Sequence, residues 1–579
     1  MAERFDSTST EPVIPTFTRA EQDTARRAVR MAALGVLGLV AAGLLAIPRA
    51  ASPRFAAFSL FFEQFARIEK FPLLLVAVFA LAMLIAASRP VDAAERDLPG
   101  ATYRPWIIAL LSLGVVIVAY AGIVLIFHRY LLADDEYSAW FQALSFSRGQ
   151  RSPLVPPNWC PWIGSLTPSS IYSDETCRWR LDYLPLHSML QAPFIALGVG
   201  RLGVPLTAGV SVWLVASIAR KLWPARPLRA YIAALTLATS TQVLIMSMTM
   251  YSMPTHLLFT LIWLWLYVDD RRWSNVLLPW VGVAAIGVHS PFPHLLFIPP
   301  FLLRYLRNRR FTFLGYLGVV YGVGVMYWYG FRQHIAQGTA TTVATVGQTA
   351  SVVTGIFRLP TALHGFTTAL HLALVPSWNA PVVIVLVLTA MLAWRKLDSF
   401  SRDAALSVIV IVVARAFMPT PQGEGWGYRY IYDGLADIAL LSAVGAELLA
   451  HAIGRRRAVR FIVASFVAAV AVQLPLRAWG VSSIISPFRN GYEWMSSLPY
   501  DAVVYPSMNV QWGRQLVRND PYLRNSPKIM SRSELGRNDL AALLADSTKR
   551  VKVLTTDDLR AHGFPAGDYY LGGFRIKPY

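Results

Sequence analysis

Apolar runs alternate along the chain with short polar breaks. The runs fall near 31–47, 71–88, 106–127, 204–219, 230–248, 255–268, 275–289, 291–303, 313–330, 375–394, 404–418, 430–450 and 459–476. A bilayer core takes about 20 helical residues per crossing, and fewer where partner helices or a thin membrane help. The pattern therefore predicts about 13 transmembrane helices in an all-α polytopic membrane protein. Segment 184–200 is apolar but broken by Pro185, Pro193, Gly198 and Gly200, and is expected to lie along the membrane surface or dip into it. The pattern changes after 476. Short apolar runs at Ala502–Tyr505 and Val551–Leu554 flank a polar helical stretch around Glu534–Ala545, and Tyr569–Ile576 follows. Strand, helix and strand in that order predict a small α/β domain over 477–579.

Composition agrees with the pattern. Hydrophobic types make up 55% of the 579 residues and charged types 15%, against about 25% in a soluble domain. Too few polar residues remain to coat several soluble cores. The net charge of +20, from 53 basic and 33 acidic residues, suggests nucleic acid in a soluble chain; here its distribution points elsewhere. With residues 1–30 taken as a cytoplasmic arm, the clusters around Arg89–Arg104, Arg220–Arg229, Arg271–Arg272, Arg304–Arg310, Arg395–Arg402 and Arg455–Arg460 all fall on the cytoplasmic side. That is the positive-inside distribution. The same register places 128–203, 331–374 and 477–579 outside. A cleavable signal peptide, a fixed-period repeat, duplicated halves and a phosphate-binding GxxxxGK[ST] loop are all missing from the pattern, which argues against ATP-driven transport and a cytosolic nucleotide-sugar donor.

Four constellations carry chemistry. Asp134, Asp135 and Glu136 stand together just after the third span. Crowded carboxylates raise one another's pKa, which suits a base; the same acids would also offset the dipole of a helix N-terminus. Tyr183 and His187 flank Pro185, as substrate contacts or interfacial anchors. His289 and His294 stand in a proline-stiffened hairpin that suits phosphate contact or a plain tight turn. A metal site needs three or more ligands, and the hairpin offers two. The fourth is Gly423–Tyr430, where Arg429 heads an apolar helix and requires an anion. Arg332, His334, Arg358 and Arg415 are further cations on that side. Cys160 and Cys177 share one external segment, and an oxidising exterior permits a disulfide between them.

These features, in this order, resemble the GT-C superfamily of integral-membrane glycosyltransferases, in the branch of protein O-mannosyltransferases and lipid A aminoarabinose transferases. Asp135-Glu136 through Gln142-Ala143 is similar to the family's D-E-x-x-(Y/A)-x-x-x-Q-A, and Tyr183-Leu184-Pro185-Leu186-His187 to its Y-P-P-L-Y. His289-Ser290-Pro291 corresponds to a Lys-Gly-Pro hairpin, and Gly427-Tyr428-Arg429-Tyr430 to a late G-x-R-Y-L. Histidine replaces the hairpin lysine. Met253-Pro254-Thr255-His256 stands where many relatives carry an aspartate, and two extra spans precede the catalytic loop.

The resemblance implies a multi-pass protein of a bacterial cytoplasmic membrane. It implies inverting transfer of a sugar from a polyprenyl-phosphate donor to a glycan, lipid or protein hydroxyl on the extracytoplasmic face. Asp135 would be the base, with Glu136 and Asp134 beside it. Arg429, His289, Arg332, Arg358 and Tyr428 would hold the donor phosphate, and Tyr183, His187 and His294 the substrate. No cofactor or metal site is implied, with an assisting divalent cation left open. Membrane lipids are the other partners, and nucleic acid is not one. The alternatives are a flippase for lipid-linked saccharide and a non-catalytic envelope-assembly subunit.

Overall fold

The computed structural model describes residues 19–52, 55, 59–89, 102–168, 170–173, 176–181, 183–336, 361–417, 422, 425–510, 512–564, 566, 570–571 and 574–575. Helix α1 (Arg19–Ala50) starts well before the first apolar run and packs against α3 (Lys70–Ser88), which follows the short α2 (Leu60–Ile68). Next is α4 (Pro105–Leu125), with proline at its first position, where the fixed φ suits a helix and no N–H is needed. Ile108, Val115 and Ala119 face the bundle, while Leu110, Leu113 and Ile117 are exposed. An apolar face left open along a whole helix is stable against lipid and not against water.

Beyond α4 lie α5 (Asp134–Phe146), the antiparallel pair β1 (Ile171–Ser173) and β2 (Trp179–Leu181), and α6 (Leu186–Ala196). The bundle resumes with α7 (Gly203–Leu222), α8 (Pro227–Ala238), α9 (Thr241–Ser247), α10 (Met253–Asp269) and α11 (Arg272–Gly287). α8 and α9 meet at a 52° bend, where the Ser240 side chain caps α9. Two short helices, α12 (Phe292–Phe297) and α13 (Pro299–Arg307), lead to α14 (Phe311–Ala336). The bundle closes with α15 (Ala362–Ser377), α16 (Val383–Leu392), α17 (Ser399–Phe417), α18 (Leu435–Ile453), α19 (Arg455–Ala468) and α20 (Leu474–Ser497).

Most of each expected span falls on helix, with 375–394 broken between Ser377 and Val383. Among the described residues, seven helices are long and apolar enough to cross a membrane by length and composition, or eight if α8 and α9 count as one span. The expected count of about 13 is thus not reproduced: the helices at 255–268, 275–289, 291–303, 375–394 and 404–418 are not among them, most being short or broken. The last span does not stop at 476. It runs through a π-helical turn at Ala469–Gln473 and on to Ser497.

α18 is the centre of the bundle, buried on nearly every side. A side chain at Gly445 would bring its Cβ within 2.1 Å of the Leu386 carbonyl oxygen, so glycine is what lets α18 and α16 approach this closely. Arg477 on α20 is fully buried, pairs with Glu69 between α2 and α3, and lies 4.1 Å above the Trp378 ring. Trp378 Nε1 and Ser377 Oγ donate to the same carboxylate at 2.8 and 2.7 Å. Those extra hydrogen bonds are what make a buried pair tolerable.

The C-terminal region forms a three-stranded parallel sheet in the order β4 (Lys528–Ser531), β3 (Ala502–Tyr505), β5 (Val551–Val553), with helices at Arg537–Ala545 and Thr556–Ala561. It does not stand alone. Phe141, Trp159, Leu166 and Trp179 of the first long loop share one core with Val504, Met530 and Leu543 of the tail. Trp179 Nε1 donates to the Pro521 carbonyl at 2.8 Å, Tyr137 Oη to Asn519 O at 2.8 Å, and Asn519 Nδ2 to Leu166 O at 2.9 Å. Loop and tail are one folded unit, and the Cys160–Cys177 disulfide, with Cα atoms 5.6 Å apart, closes a turn within the loop.

Candidate active site

Asp134, Asp135 and Glu136 form the first turn of α5, where carboxylates are favoured by the helix dipole. Successive helical residues point about 100° apart, so the three side chains separate. Asp135 turns toward the bundle. Its Oδ2 accepts from Arg429 Nη2 at 2.6 Å and its Oδ1 from the Tyr183 hydroxyl at 2.5 Å. Burial works to raise its pKa, but the Arg429 guanidinium, His289 and the Tyr183 hydrogen bond outweigh it and hold the carboxyl below the usual carboxylate range. Burial, then the adjacent Asp135, push the Tyr183 hydroxyl well above its ordinary value.

Arg429 is aimed by its backbone. Gly425 and Gly427 have φ of +126° and +65°, a region that favours glycine, and they bend the chain into the 3-10 turn Arg429–Gly434 ahead of α18. Gln422 Oε1 accepts from the Arg429 N–H at 2.8 Å, and His371 Nε2 lies 2.9 Å from the same oxygen. The guanidinium sits 4.4 Å over the Tyr251 ring, a cation–π contact that helps hold a charge in an apolar setting.

Asp135 and Arg429 open onto a cavity of about 270 Å³ that His289, Tyr183, Arg415 and Tyr430 also line. His289 packs against Tyr183 with tilted rings whose centroids are 4.2 Å apart, and the Arg415 guanidinium lies 4.3 Å over Tyr430. Met253, Phe292, Leu296 and Ile411 supply apolar walls. The cavity thus pairs a carboxylate with several cations beside an apolar surface.

Other residues singled out from the sequence lie elsewhere. Glu136 does not join Asp135; it is fully buried, off the cavity, with neither carboxylate oxygen hydrogen-bonded among the described residues. Its burial, partly offset by Arg518, raises its pKa to about 7. Asp134 is half-buried and also off the cavity. Tyr428 faces away as well, its hydroxyl accepting from Asn379 Nδ2 at 2.6 Å, because Arg429 and Tyr428 are neighbours on a tight turn. His187 uses both ring nitrogens on protein partners, Thr255 Oγ1 at 2.8 Å and Met250 O at 3.0 Å, and lies behind Tyr183. His294 points into the bundle, with Nε2 2.6 Å from the Tyr321 hydroxyl and the two rings stacked. Arg332, near the end of α14, does not line the cavity, and Arg358 lies outside the described residues. Among the described residues no group of three or more His, Cys, Asp or Glu side chains converges as a metal site would require.

Two cavity residues have no role assigned from the sequence, where His256 entered only as a departure from the family's pattern. Asp433 follows Arg429 by four positions, and His256 sits in the first turn of α10. An ionisable residue inside an apolar stretch was the available signal for both.

No protein-family model matches the chain, and no curated protein matches it in sequence. Among solved structures, the crystal structure of ArnT from Cupriavidus metallidurans bound to undecaprenyl phosphate matches with a TM-score of 0.51 at 13% identity, over 77% of this chain and 89% of that one. The same protein in its apo state matches over the same shares at a TM-score of 0.49. The likeness to the first is one of fold alone: a polytopic helical membrane architecture.

Proposed function

We propose that a chain with this architecture and this cavity is a glycosyltransferase. It moves a sugar from a polyprenyl-phosphate donor to an acceptor hydroxyl on the extracytoplasmic face. The observation that carries the reading is the Asp135–Arg429 contact at a cavity with apolar walls. A proton acceptor and an anion-binding cation stand at bonding distance from each other, beside an apolar lining that suits a lipid-borne phosphate.

As the acceptor oxygen bonds to C1 of the sugar, the C1–O bond to phosphate breaks and the polyprenyl phosphate leaves with one more negative charge. Fixed cations facing that charge lower the barrier; Arg429 fills this role, with His289 and Arg415 beside it. The acceptor proton passes to Asp135. Arg429 holds Asp135 until the phosphate competes for the guanidinium. Arrival of the donor therefore raises the proton affinity of Asp135 when a base is needed. Single displacement inverts the anomeric centre. The relative's structure with undecaprenyl phosphate supports a lipid phosphate of this kind as the donor's carrier.

The test uses purified protein in liposomes with polyprenyl-phosphate sugars. Asp135→Asn is expected to lower turnover by about a thousandfold, within the range for loss of a general base, with donor binding kept. Arg429→Ala is expected to weaken donor binding. Turnover of Asp135→Asn near wild type, or sugar-lipid crossing the bilayer without transfer, refutes the proposal.

A further inference from the structure

The cavity has a second polar wall that the chemistry above does not use. His256 and Asp433 are 2% and 6% exposed, and both line the cavity. His256 Nε2 and Asp433 Oδ1 are buried atoms with no hydrogen-bond partner among the described residues. Buried polar atoms are nearly always paired, and both of these belong to residues that line one cavity, so an occupant of that cavity is the partner nearest to hand.

The rest of the lining narrows what that occupant is. A phosphate belongs beside the guanidinium of Arg429, and Asp433 has no positive charge to offer it. A prenyl chain suits Met253, Leu296 and Ile411 but has no hydrogen bonds to give. A group with several hydroxyls satisfies both atoms: one hydroxyl donates to Asp433 Oδ1 and another pairs with His256 Nε2. Placement agrees. Arg429 and Asp433 stand on the same 3-10 turn, Arg429–Gly434, four residues apart and therefore about 8 Å along its axis at about 2 Å per residue. That is the scale of a phosphate with one sugar ring attached. His256 approaches from α10, which packs against the turn.

We infer that Asp433 and His256 form the subsite that recognises the hydroxyls of the transferred sugar, one turn from the cation that holds its phosphate. The inference rests on the glycosyltransferase reading. As specificity residues, the two act on the sugar and not on the lipid phosphate.

The experiment measures binding to the full-length protein in detergent by native mass spectrometry. The probes are bare undecaprenyl phosphate and undecaprenyl phosphate bearing a hexose, an acetamidohexose, an aminopentose or a pentofuranose. Wild type is expected to bind at least one sugar-bearing lipid tenfold or more tighter than the bare lipid. Asp433→Asn, Asp433→Ala and His256→Gln are each expected to bring that ratio toward one, with bare-lipid affinity held within twofold. The histidine variant lies on a different element, so a folding defect of the aspartate variants leaves the test intact. If the variants weaken bare and sugar-bearing lipids alike, or no sugar raises wild-type affinity, the subsite is refuted while lipid-phosphate binding stands. Failure of wild type to bind bare undecaprenyl phosphate removes the parent reading, and this one with it.

Discussion

Asp134, Asp135 and Glu136 are consecutive, yet only Asp135 meets a cation at the cavity, and Glu136 is sealed in the packing. A buried carboxyl whose neighbouring cations only partly offset its burial destabilises the fold once it ionises. Glu136 has an ordinary pKa of 4.5 that burial raises to about 7. Between those values the unfolded chain releases a proton that the folded chain keeps, so stability falls as pH rises through that window and is level above it. At about 1.4 kcal/mol per unit, the loss is about 3 kcal/mol. Glu136→Gln is expected to raise the unfolding temperature at pH 8 and to leave it unchanged at pH 4; an equal gain at both pH values rules out the titration. Asp135 shows the opposite shift. Since the Tyr183 hydroxyl helps hold its pKa down, Tyr183→Phe is expected to move the acid limb of kcat/KM to higher pH, and an unmoved limb counts against Asp135 as the titrating group. The local motif made Asp135 and Arg429 legible in the sequence. Asp433 and His256 were not, because a single residue in an apolar run says nothing about which other helices converge on it.

Helices were legible for a related reason: the period and length of apolar runs report burial against lipid directly. What the pattern missed is how elements hold one another. Arg518 follows the sheet strand β3 in the tail, yet its guanidinium donates to the carbonyls of Leu132 and Ala133, the two residues just before α5. It also lies 4.7 Å over the Tyr137 ring. Nothing near Arg518 in the sequence points to a partner almost 400 positions earlier. The contact fixes the entry of the helix that carries Asp135, so Arg518 is a positioning residue. Small misplacements of a reacting group cost up to about a hundredfold in rate. Arg518→Gln is expected to lower kcat by about tenfold or more on that basis, with the donor KM nearly unchanged. Loss of protein from the membrane, or a proportionate rise in KM, would instead mark the arginine as purely structural.

At the scale of the whole molecule, the shared core of loop and tail changes what the C-terminal region is for. As a separate domain it would be removable without touching the site. As built, its strands β3 and β4 bury Val504 and Met530 against Trp159 and Trp179, which follow α5 in the chain. The unit should therefore open cooperatively, while the bundle around α18 stays closed. The disulfide is the way to test this, because its cysteines are 17 positions apart within the loop and do not line the cavity. Closing a loop of that size stabilises by about 3 kcal/mol in the chain-entropy account. Replacing both cysteines with serine is expected to speed hydrogen exchange at Trp179–Leu181 and at Ala502–Tyr505 together, by a common factor, and to leave α18 unchanged. Faster exchange confined to the loop would show that the tail folds independently and that Asp135 is positioned without it.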